Sequence, residues 1–294
     1  MTDTTLDTDA DYDALVVGGG VAGLTAATFL ARAGLATLVV DGDESILRRN
    51  AHLENVPGFP AGVNARLFAD MLRDQAERNG AEIRTGFVEG VTGEVGEFTA
   101  AVDDETAVTA ARVVAASWSD LDYLDGLGVE ARDAGSKRYA AEHALSRTSV
   151  DGVYAAGRIA ERYHQAVVAA GHGAEAAITL LHDAEVPFYH DWVVPEGYFT
   201  DRGREVPPGC EEITAAEQER RAAESRETMR AYFAEEHPER QRTHPSLVDD
   251  DLGRVDPEWY DDGGGGDGGG DDDVDGGGNG AGDDSGDGPV ESDD

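Results

Sequence analysis

The chain has 294 residues, 61 of them acidic and 23 basic, for a formal net charge of −38. That balance argues against a nucleic-acid partner, because like charges would meet. A single cysteine, Cys210, rules out an internal disulfide framework, a Cys-x-x-Cys redox pair and a thiolate zinc site.

The charge is unevenly distributed. Residues 261–294 carry 13 acids, no base and a large share of the glycines. Glycine maximises backbone entropy and the aspartates repel, so this tail is expected to stay disordered, as is the polar stretch 1–11. Without the tail, 48 acids still face 23 bases, a net of −25, and Lys137 is the only lysine. This suggests a halophilic protein adapted to a high-salt cytoplasm, where screening weakens self-repulsion; an acidic interaction surface is the rival reading. No apolar run approaches a bilayer span and the N-terminus lacks the basic region of a signal peptide. A soluble, cytoplasmic protein without a membrane partner is therefore expected. The foldable part divides into one core unit over 12–185 and an extension over 186–260.

The core unit opens with "DYDALVVGGGVAGLTAATFLARAGLATLVVDGD". An apolar strand (14–17) leads into Gly18, Gly20 and Gly23, a helix follows to about Gly34, and a second strand (37–40) ends at Asp41. Gly18 permits the tight turn and Gly20 lets the backbone approach a pyrophosphate. Gly23, with Ala22, lets the helix pack closely on the sheet. The helix N-terminus then offers free N–H groups and a positive dipole end to phosphates. Asp41 is placed to accept hydrogen bonds from a ribose. Strand, glycines, helix, strand and acid in this order predict dinucleotide binding, without separating FAD from NAD.

Asn64 can cap a helix whose Leu67, Phe68, Met71, Leu72 and Ala76 share one face, with Ile83 opening the next strand. From Phe87 to Ala116, short alternating runs punctuated by Gly93 and Gly96 predict an antiparallel meander, whose last strand, "ARVVAAS", returns to the main sheet. Further on, "GVYAAGR" and the small-residue stretch from about Tyr163 to His182 predict another strand and a narrow helix.

In their order, "VVGGGVAGLTAATFLARAGLATLVVD", "LENVPGFP", "FADMLRDQAERNGAEI" and "DGVYAAGRIAERYHQAVVAAGHGAEAAITLL" resemble the thioredoxin reductase family of flavoproteins. The resemblance covers roughly residues 12–183. It implies an α/β, glutathione-reductase-like FAD-binding fold of Rossmann type, with a central parallel sheet and a small antiparallel β-meander. The implied cofactor is FAD. Its implied ligands are the turn Gly18, Gly19, Gly20, Val21, Ala22 and Gly23; Asp41 with Gly42; Asn55; the backbone around Val91; and Gly157, Arg158, Gln165 and Ala166.

Three departures qualify the resemblance. The family inserts a nicotinamide-binding domain where this chain has only residues 117–151, too few for such a domain and without a strand–helix–strand pattern. Gly126 to Ala131 fits G-x-G-x-x-A there, but no strand precedes it and no helix follows. The dithiol is missing. Arg158 stands where the family has aspartate. A guanidinium has no acceptor for the ribityl hydrogen bond that aspartate accepts, yet it can approach the pyrophosphate; pairing with Glu161 beside an empty pocket is the alternative.

The histidines 164, 172 and 182 lack metal-ligand spacing, so no metal is expected; His164 either borders the flavin or is solvated. Phe188, Tyr189, Trp192, Tyr198 and Phe199 can cover the flavin site or the sheet, or form a docking surface. Thr214 and Glu217 have capping-box spacing at the start of a polar surface helix, which can support a homodimer. The resulting expectation is an FAD-binding oxidoreductase that uses free NAD(P)H or a redox protein partner, with no assignable catalytic residue. The alternative is a non-catalytic flavin- or nucleotide-binding protein, or a subunit of a larger redox assembly.

Overall fold

A computed structural model describes residues 6, 9–43, 45–103, 106–118, 120–135, 137–188 and 190–242. The acidic tail, most of the first eight residues, the end of the extension and Tyr189 lie outside the described residues.

The central sheet starts with β1 (Tyr12–Val17), followed by α1 (Val21–Arg32) and β2 (Thr37–Asp41). Next come α2 (Ala65–Arg78), β3 (Glu82–Thr85), β4 (Val88–Glu94), β5 (Glu97–Val102) and β6 (Thr106–Ala115). The strand order is β3-β2-β1-β6-β5-β4, and β9 (Val153–Ala155) also pairs with β6. β1, β2, β3 and β9 run parallel to their neighbours, while β4, β5 and the start of β6 form the antiparallel meander. The expected returning strand is not separate: β6 is one ten-residue strand that pairs β5 at its start and β1 at its end.

The period-two alternation of a strand sorts the apolar runs onto two faces. Ala14, Val16, Val39 and Val114 face α1 and α3 (Ala166–Asp183), meeting Ala26, Ala27, Leu30, Ala176 and Leu180. Leu15, Val17, Leu38, Val40 and Val113 face the other way, onto Phe98, Val108, Tyr123 and Leu124. Buried Asp13 accepts the N–H groups of Leu6 and Ala36, each at 2.7 Å, and so fixes the turn between α1 and β2.

In α2, Asn64 does cap, accepting from the N–H groups of Arg66 and Leu67. Of the face the sequence suggested, Ala76 is buried and Leu67, Phe68 and Leu72 are partly buried against the cores; Ala65, Arg66 and Ala69 are buried beyond it. A third cluster, with Leu47, Leu53 and Val63, takes up Ala65 and Ala69, and Leu67, Phe68 and Leu72 pack against its edge.

Residues 116–152 hold a 3-10 helix (Asp122–Leu127) and a hairpin of β7 (Ala131–Ala134) and β8 (Lys137–Ala140). Gly128 ends the 3-10 helix at φ 66° and a strand follows, so Gly126 to Ala131 make no phosphate-binding turn. In the extension, β10 (Trp192–Pro195) pairs with β11 (Cys210–Ile213), and α4 (Ala215–Tyr232) begins at Thr214, whose side chain accepts the Glu217 N–H. No residue of α4 is buried, as expected of a surface helix. Phe188 packs on the first core, and the fork from Arg32 to Asp191 at 2.5 Å fastens the aromatic segment to the C-terminal end of α1.

Candidate dinucleotide site

β1 delivers its chain to Gly18, whose φ of 109° a side chain would strain. Gly18 lies against the Ala116 carbonyl, and Gly23 lies over the Gly18 carbonyl, so α1 sits directly on the strand end. Above Gly20 there is open space: the nearest atom to a hypothetical Cβ is Ser45 Oγ at 3.9 Å. Backbone approach by a bulky anion is therefore possible where the sequence reserves it. Val21, Ala22 and Gly23 form the first turn of α1, and no side chain caps that helix.

Asp41 ends β2 with its carboxylate against Gly19. Its Oδ1 accepts the Asp43 N–H at 3.0 Å and its Oδ2 meets Arg73 Nη1 at 3.3 Å. Each oxygen retains a lone pair for a ribose hydroxyl. Gly42 lies under the half-exposed ring of Phe87.

The second segment arrives through β9. Gly157, at φ 78°, touches Ala22, and Gly173 of α3 lies against the Ala22 backbone. The N-terminus of α3, at Gln165 and Ala166, also lacks a side-chain cap, whereas α2 and α4 are both capped. Asn55 donates to Gln165 Oε1 at 2.6 Å, joining two predicted ligand residues that are 110 positions apart. Two uncapped helix starts, each with unpaired N–H groups, thus belong to one open, glycine-lined corner. That arrangement fits the phosphate and ribose parts of a dinucleotide.

Val91 stands apart. Its side chain is wholly buried in the second core, and its carbonyl is covered by Gly126. Arg158 adopts neither expected pose. Its guanidinium donates to the Tyr139 hydroxyl and lies 4.8 Å from the Tyr139 ring centre and 5.8 Å from that of Trp118. Glu161 pairs with Arg132 instead. The aromatic residues of the 117–151 segment therefore hold this cation. His164 packs against Trp118 with ring centres 4.7 Å apart and the rings tilted by 59°, and burial and the nearby Arg158 push its pKa down.

The residue that sequence reasoning missed is His172. It is buried inside α3 and its Nδ1 accepts the Gly157 N–H at 2.9 Å. Nε2 lies 3.5 Å from Glu142 Oε1 and 3.9 Å from Glu175 Oε1. These three residues bring potential ligand atoms within 4.8 Å of one another. With Nδ1 occupied as an acceptor, the ring hydrogen sits on Nε2, which then offers no lone pair to a cation. Arg162 also spans both oxygens of Glu142, at 2.8 and 2.6 Å. Burial, followed by Arg162, holds His172 neutral by lowering its pKa. A polar residue between two glycines of a small-residue helix was the only signal available in the sequence.

Fold and glycine corner together define a Rossmann-type dinucleotide-binding domain. A family model described as an NAD(P)-binding Rossmann-like domain matches residues 16–79. The thioredoxin reductase of Mycolicibacterium smegmatis is 37% identical over 106 residues, 35% of this chain and 34% of that protein. The bifunctional thioredoxin reductase/thioredoxin of Mycobacterium leprae (strain TN) is 42% identical over 83 residues, 28% of this chain and 18% of that protein. These matches thus span 34% and 18% of the relatives' lengths. Among solved structures, an oxidoreductase from Agrobacterium tumefaciens superposes with a TM-score of 0.55 at 17% identity, covering 60% of this chain and 99% of that one. An atypical thioredoxin reductase from Desulfovibrio vulgaris Hildenborough gives a TM-score of 0.53 at 19% identity, covering 58% and 97%; at such identities the likeness concerns the fold. The domain thus has a Rossmann-type fold, similar in sequence over part of its length to thioredoxin reductases and in fold to solved oxidoreductases of that kind.

Proposed function

We propose that this chain is an FAD-dependent oxidoreductase of thioredoxin reductase-like type, which passes electrons through flavin without an intrinsic dithiol or nicotinamide domain. The observation that carries this reading is the pair of uncapped helix starts, α1 and α3, at one corner with Asn55 bonded to Gln165. Gly18 to Gly23 and the α1 N-terminus would hold the pyrophosphate, and Asp41 the adenosine ribose. Asn55, Gln165 and Ala166 would border the ring, where the α3 dipole favours negative charge. Bound FAD supplies a carrier for hydride or single electrons. Cys210 is the only cysteine of the sequence and cannot form a disulfide within it; in this reading free NAD(P)H or a redox protein partner exchanges electrons with the flavin. Anaerobic mixing of FAD-loaded protein with NADH or NADPH in high salt tests this. Bleaching of the flavin absorbance is expected with one of them. Persistent colour with both, and with chemically reduced protein donors, would remove the enzymatic reading.

A second reading, a flavin- or nucleotide-binding subunit without turnover, is favoured by one feature. The Gly157 N–H is committed to His172 and the Arg158 guanidinium to Tyr139, so this segment offers a ligand fewer free polar groups.

A further inference from the structure

We infer that the C-terminal arm, residues 237–242, is a positioning strap for the ribose corner of the dinucleotide site. The inference rests on the cofactor reading above and adds a control element to it.

Two residues beyond the ribose acid Asp41, Asp43 adopts φ 56°, a left-handed conformation that side chains other than glycine take up at a cost. The bend matters to the site because the Asp43 N–H is what orients Asp41 Oδ1, at 3.0 Å. It is held from outside. The Arg242 guanidinium donates to the Asp43 carbonyl and, at 3.1 Å, to its Oδ2. The Arg242 backbone N–H donates to the Arg48 carbonyl at 3.2 Å, and the Gln241 amide to the Arg49 carbonyl at 2.9 Å. The arm thus zips along the 3-10 turn Ile46–Arg49, which directly follows the bend.

Arg48 makes the second attachment. Only 13% of its side chain is exposed, and it meets Glu239 of the arm at 2.5 Å, Asp70 of α2 at 2.8 Å and Asp43 at 3.5 Å. His237 closes the arrangement on Asp70 at 2.8 Å. Arm, α2 and turn therefore form a network rather than isolated surface pairs, and networks resist screening better than single pairs do. The N-cap of the turn is Ser45, the same residue whose hydroxyl stands nearest to Gly20. One arm consequently sets both the direction of Asp41 and the wall beside the phosphate approach. Arg242 touches no cofactor position itself; it acts through Asp43.

The test compares binding of ADP and 2′,3′-dideoxy-ADP by titration calorimetry to the full chain and to Arg242→Ala and Arg242→Lys. The wild type is expected to prefer ADP about tenfold, the worth of a good hydrogen bond to a charged group. Arg242→Ala is expected to lose most of that preference, with ADP weakened about fivefold to tenfold, dideoxy-ADP unchanged and the melting temperature close to wild type. Arg242→Lys, which keeps the charge but not the fork, should fall between the two; it also carries the test if the alanine variant fails to fold. Equal weakening of both nucleotides, or of neither, overturns the strap. A wild type that binds ADP, dideoxy-ADP and FAD not at all overturns the cofactor reading and the strap with it.

Discussion

Gly171 and Gly173 lie two positions apart on α3, yet their surroundings are opposite. A Cβ added at Gly173 would fall 2.9 Å from the carbonyl carbon and 3.0 Å from the Cα of Ala22, and closer still to the Ala22 oxygen. The atoms it meets are backbone of the first turn of α1, which cannot rotate away. Gly173→Ala must therefore push the two helices apart by about half an ångström or more, an overpacking cost of about 1–3 kcal/mol. For a folded unit of this size, about 2 kcal/mol corresponds to a melting temperature lower by about 4–8 °C. The displaced turn is the one that would hold phosphate, so FAD affinity should drop about tenfold as well. At Gly171, which is exposed, nothing lies within 4 Å of the added Cβ. Gly171→Ala should thus stabilise the helix by about 0.5–1 kcal/mol without altering affinity. Thermal melts and FAD titrations of both variants check the pair. If Gly173→Ala melts and binds like the wild type, the close contact of α1 and α3 is not what shapes the corner.

Other outcomes follow from single residues. His172 is held neutral in the fold, so its folded pKa lies below the ordinary value of about 6.5. Its contribution to stability is complete above that value and is lost as pH falls, because only the unfolded chain then gains the proton. The melting temperature should drop between about pH 7.5 and 5.5, and drop less in His172→Asn, which keeps an acceptor for the Gly157 N–H. Asn64→Ala removes the α2 cap and should cost about 1 kcal/mol in chemical denaturation. Tyr139→Phe removes the phenol that Arg158 holds; it should loosen the β7–β8 hairpin, seen as faster amide exchange there, and leave FAD affinity unchanged.

Much of the glycine corner was legible in the sequence because its chemistry is local. A strand, three glycines at fixed spacing and a helix start need no distant partner to be recognised, and Asp41 follows from the next strand end. Asn55 and Gln165 entered one implied ligand set only through the family resemblance, and their direct hydrogen bond across 110 residues was not legible. The poses of Arg158 and His172 were not legible. Each depends on tertiary neighbours: Trp118 and Tyr139 for the first, Gly157 and Glu142 for the second. The face of α2 was legible in part: Leu67 and Phe68 do pack inward, but the burial of Ala65 and Ala69 depends on the distant Leu47, Leu53 and Val63. The docking of Arg242 and Glu239 on Asp43 and Arg48 pairs charges nearly 200 residues apart, in a chain so rich in acids that no pairing stands out.

If α1 and α3 turn their free N-termini to one flavin dinucleotide, the folded chain holds FAD. The visible spectrum of the protein after FAD is added in high salt and excess is removed by gel filtration tests it most directly. Retained flavin bands at one FAD per chain are expected; a colourless protein that releases all added FAD would show that the two helix starts do not form a flavin site.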